Sequence, residues 1–194
     1  MKLKQSFCFT LLLVTCIQVS AADTTIVKSP DGAIAFKLYQ QNAQLFFTVT
    51  HNGRAVINVS PLDMSVDGKS LTQKAVLGNP ERATSKESYP VMGVHATATN
   101  HYNSAVMAIA ANAMKGQLAI RVFNDGASFR FLVPNTTGAV VPTESTVFNL
   151  PANSDVWYHD MNMHYESVHQ KKKIEELQQG EWMAPPATFK TPQG

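Results

Sequence analysis

The sequence predicts an all-β protein, a large antiparallel β-sandwich with one short helix near its C-terminal end. Three observations lead there. Apolar and polar residues alternate along many short runs, turn residues interrupt those runs at short intervals, and nothing between Thr24 and Tyr158 has helical periodicity. Ile34, Phe36 and Leu38 alternate with Ala33, Ala35 and Lys37, which on a pleated strand places the large side chains on one face. Leu45, Phe47 and Val49 repeat the pattern, as do Leu118, Ile120 and Val122, then Phe129, Phe131 and Val133. Turn signals fall at Ser29-Pro-Asp-Gly32, His51-Asn-Gly53, Asp67-Gly68, Gly78-Asn-Pro80, Lys115-Gly116 and Asn124-Asp-Gly126. The last of these joins two alternating runs within Arg121 to Phe131 and is a strong hairpin signal. Beyond Glu166 the pattern changes. Lys171 and Glu175, and Lys172 and Glu176, are spaced as helical neighbours, and Gly180 is a natural stop, so a solvated helix is expected over 168–179. Pro185 to Gly194 then opens a further strand and turn.

Ahead of the sandwich, Lys2 and Lys4 precede an apolar stretch from Phe7 to Val14, and Val19-Ser-Ala-Ala22 supplies small residues for a signal peptidase. Residues 1–22 therefore read as a secretory signal peptide, too short and wrongly flanked for a transmembrane segment. Leu13-Val-Thr-Cys16 has the outline of a lipidation site, with Thr15 bulky for that position. A secreted, periplasmic protein comprising one domain over 23–194 is expected. Both cysteines, Cys8 and Cys16, leave with the signal, which excludes disulfides and thiolate chemistry from the rest. Without Lys2 and Lys4, basic and acidic residues balance, so nucleic acid and anionic membrane surfaces are not expected partners.

Chemistry-bearing residues concentrate in Trp157-Tyr-His-Asp-Met-Asn-Met-His-Tyr-Glu166. His159, Asp160, His164, Glu166 and nearby His169 offer oxygen and nitrogen ligands, but their spacing matches no standard zinc motif. On a strand, His164 and Glu166 would share a face, as would His159 and Met161. From spacing alone the cluster reads as a polar rim at a sheet edge. Trp157 and Trp182 offer flat faces for a sugar ring, or for core and interdomain packing.

Arg121 to Phe131 and Trp157 to Glu166, in this order and spacing, resemble the amino-terminal domain of family 97 glycoside hydrolases. Ser29-Pro-Asp-Gly32, Asn100-His-Tyr-Asn103 and Thr188-Phe-Lys-Thr191 extend the resemblance over residues 24–194. These are secreted bacterial enzymes acting on α-linked glucosides and galactosides. The resemblance implies a supersandwich of the galactose-mutarotase type that lends one glutamate to a calcium ion at the active site. By distance from Trp157, that glutamate is Glu166. The remaining Ca²⁺ ligands and both catalytic carboxylates would come from a barrel beyond Gly194, so the chain is expected to hold no catalytic residue and to be truncated at its C-terminal end. His159, Asp160, His164 and Trp157 are carried only as substrate-rim groups. A hard cation takes about six to eight oxygen ligands, so Ca²⁺ is expected only with the barrel present.

Three classes of function follow. The first is an amino-terminal, carbohydrate-associated domain of an α-glycosidase, inactive alone and completed by its catalytic barrel in cis or in trans. The second is a free-standing carbohydrate- or partner-binding sandwich. The third, a mutarotase-like enzyme, rests on fold analogy alone. A barrel-encoding frame directly after codon 194 separates the first from the second.

Overall fold

The computed structural model describes residues 24–112, 114–134, 138–161 and 166–192. The expected signal peptide and His164 lie outside these residues. Alternation of the predicted kind builds β1 (Thr24–Lys28), β2 (Ile34–Gln41), β3 (Gln44–His51) and β4 (Arg54–Leu62), which pair in sequence order as one antiparallel sheet. Short strands β5 (Met64–Val66) and β6 (Lys69–Ser70) lead to β7 (Val76–Leu77), β8 (Glu81–Pro90), β9 (Thr97–Ala111), β10 (Met114–Phe123) and β11 (Gly126–Leu132). The last five form the second sheet, in which β7 and β8 lie along one edge of the long β9, while β10 pairs its other edge and carries β11. The hairpin expected at Asn124-Asp-Gly126 is present, with Phe123 opposite Gly126.

The two sheets face each other across one core. Phe36 and Leu38 of β2, with Leu45 and Phe47 of β3, meet Met107 and Ile109 of β9 and Leu118, Ile120 and Val122 of β10. Each of these side chains is essentially inaccessible, and fully burying one contributes roughly 1.5–3 kcal/mol. Phe129 of β11 ties the sheets together, its ring 6.1 Å from Phe36 and 5.5 Å from Phe47.

Two smaller sheets complete the fold. β12 (Pro142–Glu144) pairs β5, which pairs β6. The segment after β12 runs as an irregular strap along β4: Val147 N–H donates to Pro61 O (3.1 Å), Asn58 N–H to Asn149 O (2.7 Å), and the Asn149 side chain to Val59 O (2.7 Å). Then β13 (Asp155–Tyr158) lies between β14 (Gln170–Lys173) and β15 (Thr188–Lys190).

Two local expectations are corrected. No α-helix forms over 168–179: residues 170–173 are strand β14, followed by a single 3-10 turn at Ile174–Glu176. Strand pairing wins because Lys171 and Lys173 reach Asp155 on one face while Lys172 reaches Glu181 on the other. Glu175 and Glu176 bind the backbone N–H groups of Asn153 and Lys173, so neither is drawn into a helical pair with lysine. Lys115-Gly116 is no turn either, because both residues lie within β10. A Cβ on Gly116 would sit 2.9 Å from Leu132 O, so the glycine admits a close neighbour rather than a reversal.

Candidate functional site

The chemistry-bearing residues gather around the sheet of β13, β14 and β15. Tyr158 ends β13 with its ring buried. Its hydroxyl donates to Glu181 Oε1, which also accepts from Lys172 Nζ at 2.5 Å, while Gln178 N–H donates to Oε2 at 2.9 Å. A carboxylate with this many donors is stabilised in its charged form. Lys172 contributes most, and the Glu181 carboxyl is pulled down to about 2. Burial, helped by the adjacent carboxylate, pushes the Tyr158 hydroxyl above its ordinary value. Glu181 in turn pushes the Lys172 ammonium up. These groups hold their protons or charges too firmly to exchange them near neutrality, so the trio works as a clamp across the sheet.

On the opposite face, Asp155 lies 2.8 Å from Lys173 Nζ and 3.3 Å from Lys171 Nζ, and the Lys173 bond foremost lowers its pKa. Lys171 Nζ also stands 4.9 Å from the centre of the Trp157 ring, so this half-buried indole is partly covered by its cross-strand neighbour. Trp182 is different: it is 75% exposed.

Strand geometry stops at Tyr158, so the shared strand face expected for His159 and Met161 does not arise. His159 is only 4% exposed. Its ring packs edge-on to His169 at 4.9 Å, its Nδ1 is 2.8 Å from Asp160 O, and its own carbonyl accepts from Ala184 N–H. Asp160 is exposed and accepts from Ser167 Oγ at 2.8 Å. Glu166 is exposed on the segment leading into β14. Among the described residues, no three His, Cys, Asp or Glu side chains gather as a metal site. Glu166 offers one carboxylate, whereas a calcium ion takes about six to eight oxygen ligands.

Sequence reading missed the Tyr158–Lys172–Glu181 clamp. The available signal was the run of three lysines within Gln170–Lys173 together with Glu181 downstream, invisible to a hydropathy pattern because all four strand residues are polar.

A family model described as glycosyl-hydrolase 97 N-terminal matches residues 27–194. A retaining α-galactosidase of Bacteroides thetaiotaomicron is 27% identical over 148 residues, which covers 75% of this chain and 22% of that protein. A probable retaining α-galactosidase of Streptomyces bingchenggensis is 26% identical over 153 residues, covering 76% and 23%. Among solved structures, a family 97 glycoside hydrolase from Pseudoalteromonas sp. strain K8, in complex with panose, superposes with a TM-score of 0.76 at 20% identity, covering 88% of this chain and 27% of that one. A β-arabinopyranosidase gives 0.63 at 21% identity, covering 69% and 22%. The chain thus spans about a quarter of the length of the relatives it matches. At these identities the structural likeness concerns the fold.

Proposed function

Because this chain belongs to the glycosyl-hydrolase 97 N-terminal family, we propose that it is the amino-terminal, carbohydrate-associated sandwich of an exported α-glycosidase. It acts with a catalytic barrel, in cis or in trans, and is inactive without one. The observation that carries the reading is the family match across residues 27–194, which takes in both sheets and the sheet of β13, β14 and β15. In this reading Glu166 supplies one carboxylate to a calcium ion whose other ligands belong to the barrel. Its exposure on the loop before β14 leaves it free to face a second body. Asp160 and Trp157 would lie at the rim of the substrate pocket beside it, with His159 and His164. Export follows from the charged, apolar and small-residue sequence of the first 22 positions.

Hydrolysis of a glycosidic bond needs two carboxyl groups flanking the bond, about 5–9.5 Å apart depending on stereochemical outcome. The carboxylates of Glu181 and Asp155 are occupied by lysines, which suits structure rather than acid–base work. The test is nitrophenol release from α-glucoside and α-galactoside substrates with calcium present. No turnover is expected from this chain alone. Turnover is expected once the barrel of a family 97 enzyme is added, with Glu166→Gln raising the calcium concentration needed by about tenfold or more. Turnover by this chain alone, unchanged in Glu166→Gln, would overturn the reading. Exposed Trp182 favours the free-standing module as second reading, and saturable binding of α-glucan by this chain alone, lost in Trp182→Ala, would establish it.

A further inference from the structure

The sandwich is open at one end. Between the β3–β4 turn and the β10–β11 turn lies a cavity of about 470 Å³, within the range that small molecules occupy. Phe36, Phe47 and Phe129 form its floor. Phe148, carried by the strap and 55% exposed, closes one side with its ring 5.5 Å from Phe47 and 6.3 Å from Phe129.

A departure from strand regularity shapes the wall. In a regular strand neighbouring side chains point to opposite faces. Here Val56 and Ile57, adjacent in β4, both line the cavity. The register between β3 and β4 shifts on either side of Val49, and such a bulge re-aims side chains and bends its strand. Each wall of the space is held by pairing outside it. β2 pairs β3 in one sheet, β10 pairs β11 in the other, and the bonds of Asn149 to Ser60 and Val59 fix the strap that carries Phe148.

The mouth is polar. Asn124 uses its amide oxygen to accept from Asp31 N–H at 3.1 Å, which leaves its NH₂ as a donor. Asp125 adds an acceptor, and His51 also lines the opening. A hydroxyl both donates and accepts, so one hydroxyl matches this edge without the cost of desolvating a charge. Apolar lining of this kind favours the apolar body of a ligand, whose burial against the rings removes apolar surface from water.

We propose that this cavity, framed by Phe47, Phe129, Val56 and Ile57 and rimmed by His51 and Asp125, binds a small neutral ring compound with its apolar body on the phenylalanines and a hydroxyl at the rim. The site does not rest on the glycosidase reading, and none of its lining residues belongs to the cluster from Trp157 to Glu166.

The experiment titrates 2-phenylethanol into the full chain and follows the methyl resonances of Ile34, Val49, Val56 and Ile57. Saturable shifts with one common dissociation constant are expected at these methyls. Val56→Phe, which fills the space, should weaken binding by about tenfold or more. Asp125→Ala, at an exposed turn, should weaken it about threefold with the spectrum otherwise unchanged. Phenylacetate, with the same ring and a carboxylate facing Asp125, should bind more weakly than the alcohol. The proposal is overturned by the absence of saturable shifts, by affinity unchanged in Val56→Phe, or by glycerol or glucose saturating the same methyls as tightly as the aromatic alcohol.

Discussion

Glu181 links the buried end of β13, at Tyr158, to the pH of the medium. Its carboxyl is held at about 2, below the ordinary 4.5, by Lys172 foremost and by Tyr158. The unfolded chain therefore takes up this proton at a higher pH than the folded one, and the native state loses stability as the pH falls. The contribution is complete above about pH 4.5 and disappears as pH drops through about 2. Replacing Glu181 by Gln should lower the urea midpoint at pH 7. The gap between wild type and variant should narrow at pH 3, where the wild-type pair has lost part of its advantage. A gap of equal size at both pH values would show that the ionised carboxylate is not what braces Tyr158. Core aromatics obey a simpler rule. Phe47→Ala should cost about 3–5 kcal/mol, because the ring is buried and touches Phe36, Phe129 and Phe148.

Among the elements, β10 is tightly constrained at one glycine. Gly116 passes 2.9 Å from Leu132 O and 3.2 Å from a Leu71 methyl, measured to where its Cβ would stand, and the carbonyl cannot swing aside without breaking the β10–β11 ladder. Gly116→Ala should therefore destabilise by about 1–3 kcal/mol in thermal or urea unfolding, although alanine suits a strand better than glycine does. A neutral or stabilising alanine would mean that the two strands part freely at this point. The same glycine marks where sequence reading loses its grip. Gly beside Lys looked like a turn because the tight contact that requires it comes from Leu132, sixteen positions on, and from Leu71. Strands whose partner lies on the far side of one turn were legible. β2, β3, β10 and β11 alternate as a half-buried pleat should, and Asn124-Asp-Gly126 closes where turn chemistry puts it. β14 was not legible, because nothing in Gln170–Lys173 is apolar and its partners Asp155 and Glu181 come from other elements. At the candidate site the cluster from Trp157 to Glu166 was visible in composition. That His159 turns inward against His169 was not, since it depends on Ala184 binding its carbonyl from a distant loop.

At the scale of the molecule, the surface is unevenly covered. β9 pairs β10 only from Tyr102 onward, so the part of the β8–β9 ribbon before it projects past the sheet. Its tip carries Met92 at 103% and Val94 at 98% exposure, and Trp182 adds a separate exposed aromatic. Exposed apolar groups that support no core can be replaced at little cost in stability. Met92→Ser with Val94→Ser should shift unfolding by no more than about 0.5 kcal/mol while reducing self-association at high concentration, measured by light scattering. Unaltered scattering would exonerate the tip and point to Trp182. The strap after β12 has a different consequence, one of timing. Its bonds to β4 join residues 89, 90 and 92 positions apart in the chain, whereas β2, β3 and β4 are joined through short turns. Contacts that close so long a loop recover their chain entropy late, after local hairpins have formed. Asn149→Ala should accordingly hasten unfolding and leave the refolding rate almost unchanged. The chain would acquire its two large sheets first and latch them afterwards, with Phe148 seated on Phe47 and Phe129 only once the strap has closed.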